Sequence, residues 1–218
     1  MRPIAWSRDG SRLFVTHTPA TGLIVRKNGD QWLDEAGTDW SDEVKFNLPD
    51  YDVFEIDASS TSPTLRRQVS GVGTTLFNMA FNPVRRELYV SNLEAFNEVR
   101  FEGPGDNAST VRGRIAETRV SVLTTDSVNN VHLNEHVDFS RAEGEQVPAE
   151  EAARSLSQVT GMAVSPDGST LYVAVLGSNK VAFLKTAPLA SAYEASSADH
   201  LSLPGAGPSG LALSPDGS

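Results

Sequence analysis

The sequence predicts an all-β fold, a β-propeller of four-stranded antiparallel blades, with about three blades and the start of a fourth in an incomplete, open arrangement. Three observations predict it. A strand–turn–strand unit returns along the chain, a third strand recurs at matching positions within each copy, and the apolar residues alternate with the period of a strand and not of a helix.

The unit is read most easily in its third copy, where Met162-Ala163-Val164 leads into Ser165-Pro166-Asp167-Gly168 and out through Leu171-Tyr172-Val173. The second copy runs Met79-Ala80-Phe81-Asn82-Pro83 to Leu88-Tyr89-Val90, and the first runs Ile4-Ala5-Trp6 to Leu13-Phe14-Val15. A fourth begins at Leu211-Ala212-Leu213-Ser214-Pro215-Asp216-Gly217-Ser218. The chemistry suits a tight hairpin: Pro presets φ, Asp bonds back to its own backbone, and Gly accepts positive φ. A small residue, Ala5, Ala80, Ala163 or Ala212, sits between two bulky ones, as a crowded strand beside a central axis requires. The β-branched and aromatic run that follows favours extended backbone.

The third strands align on Val53, Val120 and Val181, and weaker fourth strands are expected around Leu65–Val69, Asn130–Val137 and His200–Leu203. Four antiparallel strands per repeat define a blade. The expected division is blade 1 over about 1–70, blade 2 over 71–140, a linker over 140–157, blade 3 over 158–205 and the start of blade 4 over 206–218. Closure removes exposed edges, so this arc is expected to leave sheet edges open.

Copy three is compact; the others are not. Insertions of residues 18–50 and 93–117 separate the second and third strands of copies one and two, and the Glu- and Ala-rich linker should hold a short helix near Pro148–Leu156. Loops alternate between the two ends of an antiparallel meander. The second-to-third loops and the blade-to-blade connections therefore share one end, and the Pro-Asp-Gly turns lie at the other. Loops on a rigid scaffold are where binding groups gather, so the insertion-bearing face is where a function is expected.

Composition removes several classes of function. With 39% hydrophobic and 21% charged residues, the 218-residue chain can bury a core and is not of disordered type. The absence of cysteine excludes disulfides, thiol catalysis, Cys-based zinc sites and covalent c-type haem attachment in this chain. No apolar run is long enough to span a membrane, and no signal peptide is legible at Met1-Arg2-Pro3. The net charge of −10 argues against nucleic acid as a partner. Much of that charge is local: between Asn28 and Asp57 ten carboxylates face one base, Lys45.

Ser165-Pro166-Asp167-Gly168 with Leu171-Tyr172-Val173, and Leu88-Tyr89-Val90-Ser91-Asn92, resemble the repeat of the YVTN-type propellers of bacteria and archaea. The first copy departs from that repeat with Phe14 and His17, and the second replaces Asp-Gly with Val84-Arg85. The resemblance implies a surface-layer, secreted or lactonase-like propeller and an exported, periplasmic or extracellular location. The stretch Asn92–Gly105 is similar to a subgroup of exported propellers accompanied by c-type cytochrome segments. No Cys-x-x-Cys-His is present, so any haem would belong to other sequence, and no cofactor is assigned to this chain.

Candidate ligand-binding residues come from three places. Asn92, Glu94, Asn97 and Arg100 lead off the second insertion, and Arg114, Glu117 and Arg119 close it. These charges can pair with one another and pin the loop base, or line the channel mouth and bind an anion. His132 and His136, four apart, would share a face on a strand or helix, with Asp138 near enough to join a metal; blade-edge histidines satisfy the pattern equally. The run Asp30–Glu43 holds carboxylates that calcium would accept, but no EF-hand spacing, and reads as a solvated loop. Neither pattern specifies a metal site, and no catalytic residue is legible. The chain is expected to be a binding or scaffold module of a larger exported bacterial protein, completed by the remaining blades of the same propeller, with a protein or small-molecule ligand at the insertion-bearing face. The alternative is the propeller part of an enzyme, either a cytochrome c-associated oxidoreductase or a metal-dependent lactonase-like hydrolase.

Overall fold

The computed structural model describes residues 4–6, 12–16, 26–28, 31–33, 37–39, 51–95, 116–139, 141, 145–191, 193–205 and 207–214. Strands β1 (Ile4–Trp6), β2 (Arg12–Thr16), β5 (Val53–Asp57) and β6 (Thr64–Val69) form the first four-stranded antiparallel sheet. The second sheet consists of β7 (Thr75–Asn82), β8 (Glu87–Ala95), β9 (Ala116–Leu123) and β10 (Val128–His132). The third consists of β11 (Val159–Val164), β12 (Thr170–Val175), β13 (Lys180–Lys185) and β14 (His200–Ser202). In all three, spatial order follows chain order, which is the up-and-down meander of a blade. The first strands lie side by side: β7 touches both β1 and β11. Helix α1 (Ala149–Arg154) occupies the connection before β11.

The hairpin turn of blade 3 forms for the reason its residues suggest. Asp167 accepts bonds from the Ser165 hydroxyl at 2.6 Å and the Ser169 amide at 3.0 Å, and Gly168 takes φ of +72°. In blade 2, where Val84-Arg85 replace Asp-Gly, the Asn82 carboxamide takes the aspartate's part and accepts from the amides of Val84 and Arg85, each at 3.1 Å. The left-handed residue there is Arg86, at φ 57°. The ladders also carry a feature the repeat does not announce. Register slips between Leu76 and Asn78 in β7 and between Val159 and Met162 in β11, so both innermost strands bulge at the same place in the repeat.

Alternation within β8 and β9 assigns one face of blade 2 to each neighbour. Leu88, Val90 and Leu123 pack with Val53, Val69 and Val72 toward blade 1. Ala80, Tyr89, Val120 and Val122 pack with Val159, Met162, Leu171 and Val173 of blade 3. Polar bonds tie this second interface to backbone: Asn82 donates to the Gly168 carbonyl at 2.8 Å, Ser91 to the Thr160 carbonyl at 2.8 Å, and the Gln158 amide to the Thr118 hydroxyl at 3.1 Å. The fully buried Tyr89 keeps its hydroxyl satisfied by donating to Glu87 at 2.6 Å, and Arg85 holds the same carboxylate from its other side.

Two local expectations are corrected. The fourth strand of blade 2 ends at His132, not near Val137: Val137 donates its amide to Asn134, closing a turn, and the Asn134 carboxamide is diverted to both backbone groups of Leu156, at 2.7 and 2.8 Å. The first insertion, read as a loop, contains a hairpin of β3 (Arg26–Asn28) and β4 (Gln31–Leu33), with Gln31 bonded to Asp39 at 2.7 Å. Residues 30, 34–36 and 40–43 of the Asp30–Glu43 run lie outside the described residues, as do His17 and Pro215–Ser218.

Two measurements follow from this core. Leu171→Ala, at a site with 0% exposure, should cost about 2–5 kcal/mol in urea unfolding. Burial, reinforced by the Lys180 charge, pushes the His200 imidazole below its ordinary value. The unfolded chain therefore takes up that proton first, and stability should decline as pH drops from the ordinary histidine value toward the depressed one. His200→Gln should flatten this part of the urea-midpoint profile.

Candidate functional site

Strand β8 reaches Ala95 and β9 starts at Ala116, and they pair through Asn92↔Arg119, Glu94↔Glu117 and Ala95↔Ala116. The ladder therefore carries the charged residues at the base of the second insertion to the rim of the blade. Asn92, Glu94 and Arg119 meet there. The Arg119 guanidinium donates to Glu94 at 2.7 Å, to the Asn92 carboxamide oxygen at 3.3 Å and to the Val72 carbonyl at 3.2 Å. Asn92, wholly buried, passes its own amide to Ser121 at 2.8 Å, and Ser121 bonds Asn130 at 2.6 Å. Asn130 in turn donates to the Gly71 carbonyl at 2.9 Å, and Glu94 accepts from the Thr74 amide at 3.2 Å. Three branches thus end on the connection Gly71–Thr74, at Gly71, Val72 and Thr74. Gly73 is needed in it, because a Cβ there would lie 2.4 Å from Asn92 Oδ1. These side chains hold the blade 1-to-blade 2 connection against the blade 2 sheet.

Arg119 has a second neighbourhood. With Glu117, Asn130, His132, Glu135, Val137 and Phe139 it lines a polar cleft of about 360 Å³. Register explains the grouping. Arg119 stands opposite His132 and Ser121 opposite Asn130, so these side chains share the face of the sheet turned toward blade 1. The turn over 133–136 then swings Phe139 back to stack on the His132 ring, with centroids 6.4 Å apart and planes 25° apart.

His136 does not join His132. Because β10 stops at His132, the four-residue spacing crosses a turn, and the two histidines do not lie along one element. The His136 ring lies 3.2 Å from the Glu151 carbonyl of α1. Glu151 also takes the Asp138 amide and both terminal nitrogens of Arg141, which hold its carboxyl below the usual range. Lys180 donates to the carbonyls of Ala153 and Ser155 at the helix end, and burial lowers its ammonium pKa. This region anchors the linker. Among the described residues, no group of three or more His, Asp or Glu side chains gathers as a metal would need.

Of the sequence candidates, Glu117, Arg119 and His132 line the cleft, Asn92 and Glu94 brace it through Arg119, and His136 belongs to the linker. Asn97, Arg100 and Arg114 lie outside the described residues. Sequence reasoning passed over Asn130, Glu135 and Phe139. Alternation along β10 was the available signal for Asn130, whereas Phe139 arrives only through the turn.

No protein-family model matches the sequence, and no curated protein matches it. Among solved structures the chain is similar to Kuenenia stuttgartiensis hydrazine synthase, with 18% identity and a TM-score of 0.51 over 98% of this chain and 53% of that one. It is also similar to the periplasmic gluconolactonase of Pseudomonas aeruginosa, with 16% identity and a TM-score of 0.52 over 99% of this chain and 48% of that one. The chain spans about half the length of each. At these identities the likeness establishes the fold, and with the three four-stranded sheets it makes the chain a β-propeller module. Among the described residues no helix is long and apolar enough to cross a membrane.

Removing the guanidinium should free the connection without unfolding the sheets. In Arg119→Met, hydrogen exchange at the Thr74 amide should speed up by about tenfold or more, while amides of Val159–Val164 keep their protection.

Proposed function

We propose that this chain is the binding or scaffold module of a larger exported bacterial protein related to the YVTN-type propellers, and that it meets its ligand at the insertion-bearing end of its blades. The observation that carries the reading is the cleft at the rim of blade 2, where Glu117, Arg119, Asn130, His132 and Glu135 converge within about 360 Å³. Three features support it. Glu117, Arg119, Asn130 and His132 lie on the β-ladder, so these donors and acceptors are held by strand register, and Glu135 is added by the turn after β10. Its chemistry is mixed, with carboxylate, guanidinium, amide and imidazole beside the Phe139 ring, as small-molecule sites combine a few convergent polar groups with apolar wall. Finally, the loops over 17–52 and 96–115 and the connections over 70–74 and 133–158 all leave the meanders at this end.

Export, to the periplasm or beyond, accords with the repeat resemblance, and further blades of the same propeller accord with a chain half the length of its structural neighbours. Binding is preferred to hydrolysis because the Arg119 guanidinium and the Glu94 carboxylate at this end bond each other and backbone.

A panel of neutral sugars, sugar acids, dicarboxylates, amines and short peptides, titrated into the isotope-labelled protein, tests the reading. At least one probe should move the amide resonances of Glu117–Arg119 and Asn130–Phe139 and leave Pro166–Ser169 in place, and His132→Ala should weaken that probe by about tenfold or more. Shifts confined to the Pro166–Ser169 end, or none from any probe, overturn it.

A further inference from the structure

The repeat can be used as a ruler for interfaces. Blade 2 buries four residues against blade 3: Tyr89, Val120 and Val122 at 0% exposure and Ala80 at 9%. Counting from the inner-strand alanine and the third-strand valine, their equivalents in blade 3 are Tyr172, Val181, Phe183 and Ala163. All four lie on the far face of blade 3, opposite to Leu171, Val173, Ala182 and Leu184, which cover blade 2. All four are only half-buried. Tyr172 and Phe183 meet edge to face at 5.6 Å and 87°, and Leu201, paired with Val181 on β14, is 53% exposed. Its one charged side chain on β11–β13 is Lys185, at the end of β13 opposite Thr170, beyond the Tyr172–Phe183 pair. A surface composed like the buried one beside it, but left partly open, is a contact surface of the same kind.

The structure also indicates what covers it. After β14 the chain turns back and lies along β11. The Thr160 hydroxyl donates to the Pro208 carbonyl at 3.3 Å. Gly161 and Gly210 approach so closely that a Cβ on Gly161 would fall 2.6 Å from the Gly210 Cα. A Cβ on Gly207 would fall 1.9 Å from the Leu176 carbonyl oxygen, so glycine is required on both sides of this seam. Leu211-Ala212-Leu213 is thereby placed beside β11, as β11 is placed beside β7. The alanines grade outward: Ala80 is buried, Ala163 half-buried and Ala212 exposed.

We propose that the far face of blade 3 is the docking surface for a further four-stranded blade of the same polypeptide, with Leu211–Leu213 as its innermost strand and a branched-aliphatic near face set against Tyr172, Val181 and Phe183. The proposal rests on the reading of the chain as part of a larger propeller, but not on where the ligand binds.

Hydroxyl-radical footprinting read by mass spectrometry tests it on the 218-residue chain and on the complete polypeptide. In the 218-residue chain, at concentrations where light scattering gives a monomer, Tyr172 and Phe183 should be oxidised about fivefold or more faster than the enclosed Tyr89. In the complete polypeptide the difference should vanish. Phe183→Ser gives a second readout: it should lower the melting temperature of the complete polypeptide and leave that of the 218-residue chain nearly unchanged. Protection of Tyr172 in the monomeric 218-residue chain would assign the face to residues already present, and protection that appears together with a dimer would assign it to a second copy. Either result overturns the proposal, as does rapid oxidation of Tyr172 in the complete polypeptide. The ligand titration reports on Glu117–Phe139 and the footprint on Tyr172 and Phe183, so the two readings fail separately.

Discussion

Face-to-face burial between neighbouring sheets, greatest where Tyr89, Val120 and Val122 meet Leu171 and Val173, sets the terms for the rest of the molecule. A four-stranded antiparallel sheet has two faces, and one sheet cannot cover either of them. Each sheet here becomes stable by lending a face to the next, so the module behaves as a short one-dimensional stack. Aliphatic burial is non-directional, and by itself it would let two sheets slide. The bonds from Asn82 to Gly168 and from Ser91 to Thr160 remove that freedom, because each fits only one registration of the two blades. The buried Tyr89 joins both contributions, with its ring in the apolar seam and its hydroxyl in the Asn82–Glu87 polar set.

The cleft at the rim of blade 2 depends on this order. Its residues are placed by two ladders, β8 with β9 and β9 with β10, and by one turn. The Arg119 guanidinium both closes the network around Gly71–Thr74 and forms part of the cleft wall. A group held by three acceptors presents its remaining surface in a fixed direction, which suits recognition. The same engagement makes the rim part of the fold, so the connection between blades 1 and 2 and the cleft cannot rearrange independently.

Much of the architecture could be read from the residues because its determinants are local. Ser165-Pro166-Asp167-Gly168 carries its turn within five residues, and the alignment of Val53, Val120 and Val181 places all three third strands. What escaped was set at long range or by competition. The end of β10 was missed because Asn134 prefers the backbone of Leu156, 22 residues away, to continuing the ladder. The expectation that His132 and His136 share a face failed with it. Pairing at the base of the second insertion was legible as opposite charge, but its purpose, gripping Gly71–Thr74, was not, because nothing near Asn92 in sequence points to Val72. The bulges in β7 and β11 leave no mark that composition or spacing could reveal.

Among the described residues, four bonds that join blades 1 to 2 and 2 to 3 share one property. Arg67 donates to the Thr124 carbonyl, Asn82 to Gly168, Ser91 to Thr160, and the Gln158 amide to Thr118, so in every case one partner is a peptide group. A peptide group is present whatever side chain the neighbour carries. The residues on the peptide side can therefore vary without losing these bonds, provided that Arg67, Asn82, Ser91 and Thr118 are kept and the apolar seam keeps its volume. The join thus asks one blade for a particular side chain and its neighbour only for a backbone path.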